Sequence, residues 1–69
     1  MTVTVNGEAT ELAEDSTVEH VLARHLGPER ATSGVAVALN GEVVLRTEWS
    51  ARRLRPHDRL EVLAARGGG

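Results

Sequence analysis

The chain has 69 residues, a formal net charge of −2 and no cysteine. That length allows one domain, near the lower size at which a hydrophobic core sustains a fold, with little room for an enclosed active site. Without cysteine there is no disulfide framework, thiolate metal site or thiol nucleophile, and the acidic balance argues against general nucleic-acid binding.

No apolar run approaches the roughly 20 residues of a membrane span, and no signal-peptide pattern opens the chain, so a cytoplasmic location with no membrane contact is expected. The charges are segregated along the sequence. Residues 1–29 hold Glu8, Glu11, Glu14, Asp15, Glu19 and Glu29 against Arg24, whereas the remainder is rich in arginine. Such asymmetry can steer partners, although a solvated surface explains it as well. There is no lysine anywhere.

Thr2-Val3-Thr4-Val5 alternates with period two, and Asn6-Gly7 is a strong hairpin signal, because a type I′ turn needs positive φ at both central residues. Glu8 to Leu12 is the returning strand. Asp15-Ser16-Thr17 supplies N-cap candidates for a helix, and with Ser16 as the cap Glu19 falls at capping-box spacing. Val18, Val21, Leu22 and Leu26 form an apolar stripe fit to lie on a sheet, and Gly27-Pro28 ends the helix. His20 and His25 are not spaced to share a helix face as an i, i+4 metal pair does; both read as surface residues, and no metal site is expected. Glu29 to Gly34 reads as an irregular crossover.

Val35 to Leu39 is apolar throughout, as befits an interior strand. Asn40-Gly41 turns it into Glu42-Val43-Val44-Leu45, a second hairpin. Arg46 to Arg55 lacks periodicity and contains Trp49, expected to anchor a long loop. Pro56-His57-Asp58 is a turn, and Leu60 to Ala65 is the last strand, with Leu60, Val62 and Ala64 on one face and Leu63 on the other. The predicted core is Val3, Val5, Leu12, Val18, Val21, Leu22, Leu26, Val35, Val37, Leu39, Leu60 and Val62.

The order hairpin, helix, hairpin, strand predicts an α+β roll: a mixed sheet of four or five strands with one main helix across it. If the last strand inserts between the hairpins, the strand order is 2-1-5-3-4, the β-grasp or ubiquitin-like fold. Residues 1–65 form the domain and residues 66–69, Arg66-Gly67-Gly68-Gly69, a flexible tail leaving the centre of the sheet. Four extended residues reach at most about 14 Å. A glycine run by itself fits a frayed end equally well.

The wider pattern gives the tail a meaning. Val37-Ala38-Leu39-Asn40-Gly41-Glu42-Val43-Val44, then Trp49, then Asp58-Arg59-Leu60-Glu61-Val62-Leu63 and a terminal Gly-Gly resemble the ThiS family, the sulfur carrier proteins of thiamin biosynthesis. The opening Asn6-Gly7-Glu8 and the Thr17-Val18 helix start extend that resemblance over essentially the whole chain. It implies that the carboxylate of Gly69 is adenylated by an E1-like adenylyltransferase of the ThiF or MoeB type, using ATP and Mg²⁺ bound by that enzyme. Sulfur from a cysteine desulfurase pathway then makes a C-terminal thiocarboxylate, delivered to a thiazole synthase of the ThiG type.

On this reading the protein is a co-substrate rather than an enzyme, binds no cofactor and is monomeric when free. Gly67 and Gly68 thread the partner's channel; Leu63, Ala36 and Ala38, opposite the helix, form the docking face. Two departures from the family pattern stand out: His57 where glycine is usual in the last turn, and Gly67 as a third glycine. The alternatives are a carrier for another pathway, such as the small subunit of molybdopterin synthase or a carrier for a specialised sulfur metabolite, and a ubiquitin-like binding module or modifier.

Overall fold

Two Asn-Gly turns fold the chain back on itself, in each case with both residues at positive φ: Asn6 at 50° and Gly7 at 84°, Asn40 at 51° and Gly41 at 86°. In the computed structural model, which describes residues 1–27 and 34–64, these turns close two antiparallel hairpins. The first joins β1 (Thr2–Val5) to β2 (Glu8–Glu11), and the second joins β3 (Val35–Leu39) to β4 (Glu42–Val44). β5 (Arg59–Ala64) lies between them, parallel to β1 and antiparallel to β3, giving the sheet order β2-β1-β5-β3-β4. This is the β-grasp arrangement. Its one α-helix, α1 (Val18–Leu26), buries Val18, Val21 and Leu22.

The core follows from strand alternation. Val3, Val5, Val37, Leu39, Leu60 and Val62 face inward with Val44, and Leu22, Leu60, Val3 and Val18 are fully enclosed. At about 1.5–3 kcal/mol for each fully buried large aliphatic side chain, this single cluster carries most of the favourable free energy of so small a domain. Leu26 and Val35, expected inside, are only partly buried at the rim of the cluster. Three residues join it that the pattern did not assign to the core: Val44, Trp49 and Leu54.

The start of α1 corrects the cap expectation. Thr17, not Ser16, is the N-cap: its Oγ1 accepts from the His20 N–H at 3.3 Å, while Nδ1 of His20 accepts from the Thr17 N–H at 3.1 Å. His20 thus fills the capping-box position usually held by Glu or Gln. Ser16 instead donates its hydroxyl to the Ala13 carbonyl at 2.7 Å. The next two helical amides are satisfied from afar, Val18 N–H by the Arg52 carbonyl at 3.0 Å and Glu19 N–H by the Trp49 carbonyl at 3.1 Å. Helix ends leave such donors orphaned unless partners are found, and here the aperiodic 46–58 segment provides them.

That segment is therefore a structural element rather than a slack loop. It opens with a 3-10 turn over Arg46–Glu48 and then buries Trp49, whose indole N–H donates to the Val44 carbonyl at 3.1 Å. The last turn keeps its shape with His57 at φ 71°, its N–H donating to the Thr2 carbonyl at 2.8 Å. Histidine tolerates the left-handed region better than β-branched residues do, so the departure from glycine leaves the turn intact. Gly27 at φ 86° closes α1, donating its N–H to Ala23 at 3.0 Å. Most of the expected crossover, Glu29 to Gly34, lies outside the described residues.

Two stability measurements check this account. Leu22→Ala should cost about 2–5 kcal/mol in urea unfolding, because Leu22 is wholly enclosed. Thr17→Ala should cost about 0.5–2 kcal/mol through the lost cap, whereas His20→Glu should stay close to the parent because glutamate is the usual capping-box partner.

Candidate functional site

β5 carries the end of the chain and is the central strand of the sheet. Its registers are Thr4↔Arg59 and Val5↔Leu60 on the β1 side, and Leu39↔Leu60 through Val35↔Ala64 on the β3 side. The strand therefore leaves the sheet at the edge where β3 begins. Beside that exit lies an open groove of about 410 Å³ lined by Gly34, Val35, Ala36, Leu63 and Ala64. Arg66 and the glycines Gly67, Gly68 and Gly69 lie outside the described residues.

The sheet face away from α1 is set by the same alternation that builds the core. With Leu60 and Val62 inward, Arg59, Glu61 and Leu63 point outward, and Leu63 is 74% exposed. Ala36 stands opposite Leu63 across the β3–β5 ladder, and Ala38 stands opposite Val43 across β3–β4. Ala36 is exposed, Ala38 half-buried and Val43 76% exposed. The three sequence-predicted docking residues thus share one face and lie on adjacent strands.

Val43 is the residue that sequence reasoning missed. Its signal is present in the short strand: Val43 and Val44 are adjacent, so when Val44 enters the core Val43 must face solvent. Of the arginine-rich stretch, Arg59 shares Leu63's face, while Arg52 and Arg53 sit beside the start of α1, where the Arg52 carbonyl holds Val18 and Arg53 bridges Thr17.

The buried polar side chains among the described residues are Ser16 and Thr17, both committed to local hydrogen bonds at the start of α1. No group of three potential metal ligands occurs among the described residues, and none of their helices is long and apolar enough to cross a membrane. What the arrangement sets side by side is a central strand, described as far as Ala64, and a small apolar face.

The architecture defines a ubiquitin-like β-grasp protein with its last described strand, β5, at the sheet centre. Comparison with known proteins narrows the class. The model of the ThiS family matches residues 3–69, and the chain belongs to that family. The crystal structure of the thiamine biosynthesis protein ThiS from Geobacter metallireducens is 34% identical, covers 100% of both chains and superposes with a TM-score of 0.78. An NMR solution structure of a thiamine biosynthesis protein from Geobacter metallireducens is 37% identical, covering 100% of this chain and 88% of that one, with a TM-score of 0.78. No curated protein sequence matches significantly.

The outward position of the apolar face makes a prediction independent of any partner. Leu63→Asp and Val43→Asp should each stay within about 1 kcal/mol of the parent in chemical denaturation. Leu60→Asp, one residue out of phase with Glu61 and 1% exposed in the parent, should abolish the cooperative transition.

Proposed function

We propose that the protein is a sulfur carrier in thiamin biosynthesis, acting as a protein co-substrate whose C-terminal carboxylate is the reactive group. Membership of the ThiS family supports this reading, and the observation that carries it is the central position of β5, the last described strand, beside an exposed apolar face.

A carboxylate is a poor acyl donor until one oxygen becomes part of a good leaving group. On the proposed route a Gly69 carboxylate oxygen attacks the α-phosphorus of ATP in an E1-like adenylyltransferase. The bond to pyrophosphate breaks, leaving an acyl-adenylate. A protein persulfide, charged by a cysteine desulfurase pathway, then adds through its outer sulfur to the acyl carbon and expels AMP, leaving an acyl disulfide. A second thiolate attacks the inner sulfur, the S–S bond breaks, and the thiocarboxylate used by a thiazole synthase leaves as a new disulfide forms. Glycine suits both steps because no β-carbon crowds the acyl centre or the channel through which the tail must pass. Mg²⁺, ATP and the stabilisation of developing charge belong to the partner.

Docking falls to Leu63, Ala36, Ala38 and Val43, a small apolar patch rimmed by Arg59 and Glu61, in keeping with a transient interface. The third glycine shifts the tail's register by one relative to a two-glycine ending, which bears on fit to a given activating enzyme and not on the identity of the reactive group.

ATP–pyrophosphate exchange with the matched activating enzyme tests the tail. Amidation of the C-terminus, or removal of Gly68 and Gly69 together, should reduce exchange to background without moving the thermal melt, and Gly68→Val should cut turnover far more than stability. With a sulfur source present, the intact mass should rise by about 16 Da as oxygen is replaced by sulfur. Persistent exchange by the amidated chain would refute the carrier reading.

Docking has its own test. Leu63→Asp should weaken binding to the activating enzyme in a calorimetric titration, and unchanged affinity would rule out this surface.

A further inference from the structure

The two Asn-Gly turns do more than reverse the chain: each sends its asparagine side chain onto β5. At the start of β5, Asn40 Oδ1 accepts from the Arg59 N–H at 2.9 Å, and its Nδ2 donates to Asp58 Oδ1 at 3.0 Å. Further along the strand, Asn6 Oδ1 accepts from the Val62 N–H at 2.8 Å while its Nδ2 donates to the Val62 carbonyl at 3.2 Å. A turn of this type accepts aspartate or glycine as readily as asparagine. Of these three, only asparagine's carboxamide can both accept from the N–H and donate to the carbonyl of one residue on a neighbouring strand.

The geometry at Asn6 is specific. The parallel β1–β5 ladder runs through the Asn6 N–H, which donates to the Leu60 carbonyl at 2.9 Å. In a continuing parallel ladder the Val62 N–H would go to the backbone carbonyl of residue 6, and the Val62 carbonyl would accept from residue 8. The chain has already turned at Gly7, so neither backbone group takes that place. The Asn6 side chain supplies both, extending the β1 edge by one rung along β5.

Past that rung β5 has two residues left in the sheet, Leu63 and Ala64, paired with Ala36 and Val35 of β3. On the β1 side the last grip before the tail is the Asn6 carboxamide. A strand held along one edge can twist about it, whereas a strand held along both edges has a fixed direction.

We infer that Asn6 is a positioning residue for acyl transfer, fixing the direction in which β5 delivers the tail by bonding both backbone groups of Val62. This rests on the carrier reading, but its structural half does not. Asn40, at the far end of the same strand, makes a matched control: losing its carboxamide loosens the start of β5 without touching the tail root.

The experiment compares Asn6→Gly and Asn40→Gly with the parent chain; glycine suits the turn and removes both side-chain bonds, whereas aspartate would keep the acceptor. Backbone ¹⁵N relaxation is read at Leu63 and Ala64, amide exchange at Val62, and the kinetics of ATP–pyrophosphate exchange alongside calorimetric affinity for the activating enzyme. In the parent, the order parameters of Leu63 and Ala64 should sit near the rigid-backbone value of about 0.85. Asn6→Gly should lower them towards about 0.6, speed Val62 amide exchange at least tenfold, and reduce kcat/KM by about tenfold or more with docking affinity within about twofold. Asn40→Gly should leave the order parameters and kcat/KM within about twofold of the parent even if its melting temperature falls further.

Unchanged order parameters and Val62 exchange in Asn6→Gly would overturn the inference. So would losses of activity in the two variants that simply follow their losses of stability. A parent chain that drives no exchange at all would sink the carrier reading instead, and the relaxation and amide-exchange data would still decide whether Asn6 orders the tail root.

Discussion

The structure depends on the insertion of β5 between β1 and β3. Neither hairpin is a stable unit alone, since two-stranded ribbons bury too little apolar surface in water. β5 joins them into a single five-stranded sheet, with Leu60 facing inward between Val5 and Leu39 in the two ladders. The pairing with β1 is parallel and links residues far apart in sequence, so it forms only when loop-closure entropy has been overcome. Everything of functional interest is downstream of that event. A central β5 necessarily leaves the sheet between two neighbouring strands and not at a free edge.

A second set of contacts keeps the helix over that sheet. α1 has nine residues, short of the length at which an isolated helix holds in water. Its stability comes from the buried stripe of Val18, Val21 and Leu22 and from the supply of partners to its first amides. Trp49 links the two halves of this arrangement. Its carbonyl serves Glu19 at the helix start, while its indole serves Val44 at the sheet edge. An aperiodic stretch of arginines between β4 and β5 is thus the strap that closes one side of the core.

Much of this was legible in the sequence because the local signals agree with one another. Asn-Gly dipeptides between alternating runs give both hairpins, and an apolar stripe followed by Gly27-Pro28 gives the helix and its end. The order of elements then leaves few ways to assemble a sheet. Tertiary contacts account for what was missed. Val44, Trp49 and Leu54 belong to a segment without periodicity, and their burial depends on where the strap crosses. Thr17 displaced Ser16 as cap because the bridge to Arg53 fixes its backbone and because histidine, like glutamate, can offer an acceptor at the third position. On the docking face, alternation along β5 was enough to turn Leu63 outward, whereas Val43 required knowing which of two adjacent valines the core would take.

The division between fold and function has a physical reason. A domain of this size spends its apolar residues on one thin core, and an enclosed site with desolvated catalytic groups would remove side chains that the core cannot spare. The proposed carrier avoids that conflict by placing its chemistry on a backbone carboxylate and leaving charge stabilisation to a larger partner. It still has to be recognised, and recognition requires some apolar surface outside the core. On the proposed reading Leu63, Val43 and the small Ala36 supply it on the half of the sheet nearest the exit of β5, while Glu11, Thr2 and Thr4 give the opposite half of that face a polar character. The patch and the exit of β5 then share one strand, so a partner docked at Leu63 stands beside the point where β5 leaves the sheet. A change confined to the patch then acts on docking, whereas a change that loosens only the end of β5 acts on delivery and leaves docking in place.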